Sequence, residues 1–247
     1  MIAIVLAGGY GTRLRELTWQ LPKPLLKVAG RPIIDYVFDK LLEIDDVYRV
    51  IVGTNLKFQP HFEQWLASNP RRRADIIPDR SYSEEQKPGA IASLTQTVSD
   101  INDDCLIIGG DNLFTSSLKP MNHMFKERAR VTVALHNIMD QELAKQYSIA
   151  NLDRTGRVTS FVEKPSRPDT TLIGTCIYMI PRKSLSRMAE YLSETSDRDS
   201  PGRFIAWLCA REPVYGHVLD GYWWDIGTID QYREADMVLI GLKGSRG

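Results

Sequence analysis

The chain has 247 residues, a length at which α/β folds of roughly 200–250 residues form one domain around one sheet. Hydrophobic residues at 43% and charged residues at 25% match an ordinary soluble globular protein, able to bury a core without disulfides or structural metals. Lys+Arg and Asp+Glu each number 31, and this neutral balance argues against nucleic-acid binding, which needs a net-basic surface.

The first two-thirds alternates short apolar runs with amphipathic segments. Residues 2–6 read as a buried strand that runs into Gly8-Gly9-Tyr10-Gly11. A helix is expected over 33–43 after Pro32, a strand over 50–52 and a helix over 59–67. Arg71-Arg72-Arg73 follows the turn signal Asn69-Pro70 and reads as a solvated loop rather than a polyanion site. A strand over 74–77, a helix over 90–99 behind Gly89, and a strand over 105–108 ending in Gly109-Gly110-Asp111-Asn112 complete this part. Strands alternating with helices imply a doubly wound, mainly parallel sheet, whose ligands bind at the carboxyl ends of the strands. Beyond residue 130, strands over 131–136, 148–152, 158–162 and 172–180 lack regular intervening helices, so a mixed, partly antiparallel extension is expected. A helix over 183–194, a polar loop over 196–202 and a helix near 204–210 follow. A strand over 214–219 leads to Trp223-Trp224-Asp225 and a closing helix over 229–240. No linker, repeat or low-complexity stretch divides residues 1–247, which read as a single domain.

Cys105, Cys176 and Cys209 form no CxxC pair and read as buried, reduced thiols. His61, His123, His136 and His217 show no metal-ligand spacing. No apolar run approaches the ~20 residues that span a bilayer, and no positively charged stretch precedes the first strand, so a cytoplasmic location without membrane contact is expected.

The sharpest local signal is Leu6-Ala7-Gly8-Gly9-Tyr10-Gly11-Thr12-Arg13-Leu14, directly after the first strand. Three glycines let the backbone approach a ligand without a Cβ clash, and successive N–H groups can nest phosphate oxygens. Arg13 adds a planar fork suited to phosphate. Downstream, Pro22-Lys23-Pro24 holds a lysine between two stiff residues. A P-loop would need GK[ST] after its glycines, and a dinucleotide fingerprint a third glycine where Leu14 stands. A plain glycine turn would not call for the adjoining Thr-Arg-Leu and Pro-Lys-Pro, so phosphate binding is the better reading.

Asp111 and Asp225 both follow apolar, strand-like segments. Mg²⁺ takes one or two carboxylates together with substrate phosphates and water, which two aspartates at strand ends could supply. Taken alone, each aspartate equally fits a turn or an N-cap, and Glu163-Lys164-Pro165 equally fits a surface charge pair.

In their order along the chain, residues 6–14, Pro22–Leu26, Gly89, Gly110-Asp111-Asn112, Glu163-Lys164-Pro165 and Trp224-Asp225-Ile226-Gly227 resemble nucleotide-sugar pyrophosphorylases. These are the sugar-phosphate nucleotidyltransferases, and the resemblance is strongest to glucose-1-phosphate thymidylyltransferases. It implies a Rossmann-like sheet of the nucleotide-diphospho-sugar transferase type and an enzyme joining a nucleoside triphosphate to a sugar 1-phosphate. By the same resemblance, Leu6, Ala7, Gly8, Gly9, Gly11, Thr12, Arg13, Gly89 and Asp111 would bind the nucleotide. Arg13, Lys23 and Lys164 would be catalytic, and Asp111 and Asp225 would hold Mg²⁺. Tyr147, Glu163, Lys164 and Trp224 would contact the sugar phosphate, although Tyr147 and Trp224 equally fit core aromatics. Relatives are often homo-oligomers, and no interface is legible in one sequence.

Several positions depart from that pattern. Ser148 stands where the family usually carries glycine, Thr175-Cys176 replaces a Thr-Gly pair, and residues 79–87 form a longer stretch in which no base-reading glutamine can be placed. A side chain in place of glycine narrows the acceptor pocket, which leaves the sugar open. dTMP or UMP transfer to glucose 1-phosphate is the default expectation. Cytidylyl or guanylyl transfer to another sugar or alcohol phosphate and a non-catalytic regulatory homologue are the alternatives. A glycosyltransferase would carry Asp-x-Asp where Asp111-Asn112-Leu113 stands.

Overall fold

The structure is a computed structural model that describes residues 1–244, apart from the side chains of Arg13, Arg15, Glu16 and Lys243. In chain order the strands are β1 (Ile2–Leu6), β2 (Lys27–Val28), β3 (Arg31–Pro32), β4 (Arg49–Thr54), β5 (Asp75–Pro78), β6 (Cys105–Gly109) and β7 (Asn112–Phe114). There follow β8 (Val131–Asn137), β9 (Ser148–Leu152), β10 (Val158–Glu163), β11 (Leu172–Ile180), β12 (Val214–Val218) and β13 (Trp223–Asp225). The large sheet runs β10-β9-β11-β6-β1-β4-β5, with β8 and then β12 branching from β11. β4, β5, β1 and β6 are parallel, whereas β11 pairs antiparallel with β6, β8 and β9. The expected mixed Rossmann-like sheet is therefore present, with its antiparallel extension after residue 130.

Burial on both faces of β1 explains its unbroken apolar run. Ala3 and Val5 pack with Val37, Phe62 and Phe125, whereas Ile2 and Ile4 pack with Leu94, Met188 and Phe204 on the other face. Helices Ile33–Leu42, Gln59–Ala67 and Lys119–Arg128 supply the first layer, and helices Ala90–Val98, Arg187–Glu194 and Pro201–Cys209 the second. Among the described residues, no helix is long and apolar enough to cross a membrane.

Three local expectations need correction. The helix expected over 183–194 is two pieces, Arg182–Leu185 and Arg187–Glu194, meeting at Ser186. The loop expected over 196–202 ends early, because Pro201 starts the helix Pro201–Cys209 and its ring is preset for a first helical position. Helix Lys119–Arg128 was not expected, since only Met121 and Phe125 of its residues are buried and the apolar signal is correspondingly thin.

Gly89 precedes helix Ala90–Val98 at φ +97°. The start of that helix is covered by the segment before Pro201, where Arg198 O accepts from Ile91 N (2.9 Å) and the Asp199 carboxylate from Ala90 N (2.9 Å). A Cβ at Gly89 would lie 2.4 Å from Arg198 O. Gly89→Ala is therefore expected to destabilise the fold by about 1–3 kcal/mol, from the left-handed φ and the backbone clash together. Urea denaturation monitored by circular dichroism measures this.

Candidate active site

The parallel strands β1 and β6 end side by side, with Leu6 opposite Gly109. At this rim the chain after β1 turns sharply. Gly11 takes φ +63°, and its carbonyl accepts from Thr18 Oγ1 (2.8 Å), which also donates to Leu14 O (2.9 Å). A Cβ on Gly11 would meet the Thr18 side chain at 3.0 Å, so glycine is required here both for space and for backbone angle. Leu6, Ala7, Gly9, Gly11 and Thr12 line a cavity of about 220 Å³ together with Lys23 and Asp111. Gly8 sits behind this loop, its carbonyl held by Asn55 Nδ2 at 3.0 Å. The Arg13 side chain lies outside the described residues.

Lys23 reaches the cavity from a short 3-10 turn, Lys23–Leu25, whose first residues are fixed by Pro22 and Pro24. Its Nζ lies 2.6 Å from Asp111 Oδ2 and 3.2 Å from Asp225 Oδ1. Burial alone would lower the pKa of this ammonium, but the Asp111 and Asp225 carboxylates outweigh it and raise the pKa above its ordinary value. Asp111 and Asp225 are brought together by a small sheet that was not expected. β7 pairs antiparallel with β13, setting Asp225 opposite Asn112, and the Trp223 indole N–H donates to Asn112 Oδ1 (2.7 Å, buried). The C-terminal helix Ile229–Gly244 braces the arrangement. Asp236 Oδ1 accepts from Ala29 N (2.7 Å), and the Tyr232 hydroxyl donates to Lys27 O (2.6 Å).

The Glu163 and Lys164 side chains lie at the end of β10. Glu163 is opposite Ser148, whose hydroxyl donates to Glu163 Oε2, while Oε1 is 3.9 Å from Lys164 Nζ. Lys164 is at φ +45° and its side chain is 64% exposed. Cys176, at φ +58° in the irregular stretch of β11, feels the charges of Asp111, Asp225 and Glu163 together. Burial, with those carboxylates, pushes the Cys176 thiol up to about 12.

The two remaining aromatics behave differently. Tyr147 meets the Trp223 ring edge-on at 5.4 Å, and its hydroxyl accepts from Gln231 Nε2 at 3.3 Å. Gln231 Oε1 in turn accepts from Gly227 N (2.9 Å), which ties Tyr147 to the loop after Asp225. Trp224 points the other way, as neighbours in a strand must, and packs with Leu14, Leu26 and Leu239 in the core beneath the C-terminal helix. Tyr10, Glu84 and Lys87 also line the cavity, and none had been singled out from the sequence. The Glu84/Lys87 spacing within the unusually long 79–87 stretch was the available signal; in the fold it is a 2.5 Å ion pair.

A mixed sheet of this topology, with a glycine loop, a lysine and two carboxylates gathered at its carboxyl rim, defines a Rossmann-like nucleotide-handling enzyme. The family model for nucleotidyl transferases matches residues 2–240, and the chain belongs to that family. The fold is also that of a Bacillus anthracis protein described as a glucose-1-phosphate thymidylyltransferase and solved with sucrose (TM-score 0.84, 22% identity, covering 97% of this chain and 96% of that one). A UDP-glucose pyrophosphorylase solved with UDP-glucose is similar as well (TM-score 0.81, 19% identity, covering 96% and 97%).

Proposed function

We propose that the chain is a magnesium-dependent sugar-1-phosphate nucleotidyltransferase, with dTMP or UMP as the transferred group and glucose 1-phosphate as the default acceptor. The observation that carries this reading is the Lys23 ammonium held 2.6 and 3.2 Å from Asp111 and Asp225, beside a glycine loop. Two carboxylates converging on one point suit a divalent ion shared with phosphates, and Lys23 beside them suits a phosphate oxygen. Asp111 and Asp225 would hold Mg²⁺, which when bound supplies charge neutralisation to the phosphates.

Chemically, an oxygen of the sugar phosphate attacks the α-phosphorus in line. The bond from that phosphorus to the α–β bridging oxygen breaks, and pyrophosphate leaves with its electron pair. A phosphate monoester is already anionic near neutral pH, so no general base is needed. The barrier lies in bringing two anions together, and positioning with electrostatic stabilisation dominates. The glycine-loop N–H groups cradle the triphosphate, Lys23 neutralises the α-phosphate, and Arg13 takes the leaving pyrophosphate. Lys164, on its exposed stem, draws in the acceptor phosphate. Glu163 keeps Oε1 for a sugar hydroxyl while Oε2 stays with Ser148.

The test is a pyrophosphate-release screen over nucleoside triphosphates and sugar 1-phosphates, with and without Mg²⁺. Release is expected with dTTP or UTP and glucose 1-phosphate, and is expected to stop when the metal is chelated. If no pair releases pyrophosphate, the reading fails.

A further inference from the structure

A second, larger cavity lies away from this site. It has a volume of about 830 Å³, within the range of roughly 300–1,000 Å³ typical of small-molecule sites, and shares no lining residue with the cavity at Lys23. Arg49 and Asp75, the first residues of β4 and β5, form part of its wall. Both strands run parallel to β1, so this cavity opens at the opposite rim of the sheet from the glycine loop.

Its lining combines an apolar floor with an excess of guanidinium groups. Phe38 and Leu41, from helix Ile33–Leu42, are buried beneath it, and Leu42 and Tyr48 remain 78% and 67% exposed at its mouth. The positive charges come largely from the Arg71-Arg72-Arg73 run that the sequence marked as a solvated loop. Arg72 is structural: it donates to Asp35 (2.7 Å) and to Trp65 O (2.6 Å), with its guanidinium 4.8 Å from the Trp65 ring centroid. Arg31 is neutralised by Asp39 and Arg49 by Asp75. No acidic side chain remains in the described lining to neutralise Arg71 and Arg73, whose guanidinium groups have no partner among the described residues. Two uncompensated planar cations in the lining of a cavity with an apolar floor match an anion that brings its own apolar body, and guanidinium is suited to phosphate.

We infer that this cavity is a second ligand site, taking a small organic phosphate with a flat apolar body held between Arg71, Arg73 and the floor of Phe38 and Leu41. It stands independently of the proposed transferase chemistry, because none of its residues belongs to that site.

The probe is 1-naphthyl phosphate, titrated into the isotopically labelled full chain and followed by amide shifts, with inorganic phosphate in parallel. Shifts are expected at Tyr48, Leu66 and residues 71–74. Affinity is expected to exceed that of inorganic phosphate by about tenfold or more, since the floor adds apolar contact. R71E/R73E is expected to weaken naphthyl phosphate binding by about tenfold or more, because two attractive charges become repulsive. Neither side chain has an internal partner, so the melting temperature should hold; R71Q/R73Q serves if the double reversal does not fold. Lys23→Ala is expected to leave this binding intact. The inference is overturned if shifts are absent from the cavity, if the arginine variants bind as the parent does, or if Lys23→Ala alone abolishes binding. Equal affinity for inorganic phosphate would overturn the assigned ligand class.

Discussion

Lys23→Ala is expected to reduce turnover on the order of 10²–10³-fold while tightening Mg²⁺ binding. The first effect follows from losing a preorganised donor to transition-state charge, which typically costs that much. The second follows from the geometry. The ammonium lies 2.6 and 3.2 Å from two carboxylates and offsets part of their charge. Without it, two partly buried anions face a common point and favour any cation placed there. A residue that only propped the loop would slow the enzyme without improving its hold on metal. Steady-state kinetics and calorimetric Mg²⁺ titration on the same preparation separate the two cases, and unchanged or weaker metal binding would contradict the model. The pH dependence has a definite sign. Lys23 has its folded pKa raised above the ordinary value of 10.5, so its contribution to stability is complete below the unfolded value and disappears as pH rises through the folded one. The stability gap between parent and variant is therefore expected to narrow in alkali, not in acid.

The parallel half of the sheet was legible because each strand is buried on both faces and reads as an unbroken apolar run, as Ile2–Leu6 and Cys105–Gly109 do. The glycine loop and the lysine between prolines were legible because backbone freedom and stiffness are written in residue type. What could not be read is pairing at a distance. β7 and β13 are three residues each and lie more than a hundred positions apart, so no local period announces that Asp225 is set beside Asn112 and Asp111. Resemblance to a family supplied that pairing where the residues alone left each aspartate as a turn. Trp223 and Trp224 show the same limit from the other side. Adjacent tryptophans in a strand face opposite ways, but only the tertiary packing decides that Trp223 meets Tyr147 while Trp224 joins the core. Arg71-Arg72-Arg73 illustrates a subtler case, because a run of like charges divides its labour once Asp35 and Trp65 claim the middle residue.

Asp111 and Asn112 offer a direct test of that small sheet, since neighbouring substitutions are expected to give opposite readouts. Asp111→Asn keeps the side-chain size and removes a charge from the Lys23 cluster. Turnover is expected to fall on the order of 10²–10³-fold, with a smaller loss of stability than in Asn112→Ala, because Asp225 still pairs with Lys23. Asn112→Ala leaves the charges in place but deprives the buried Trp223 N–H of its acceptor at 2.7 Å. An unsatisfied buried donor costs about 1–3 kcal/mol, so this variant is expected to melt earlier. Its residual activity, measured well below its melting temperature, should fall less than that of Asp111→Asn, because Asp225 loses only the support of its strand partner. Near-normal turnover in folded Asp111→Asn protein would remove Asp111 from the chemistry. Equal stability losses in the two variants would mean that Asp111 serves mainly to hold β7 against β13, with Lys23 acting as its structural counter-ion.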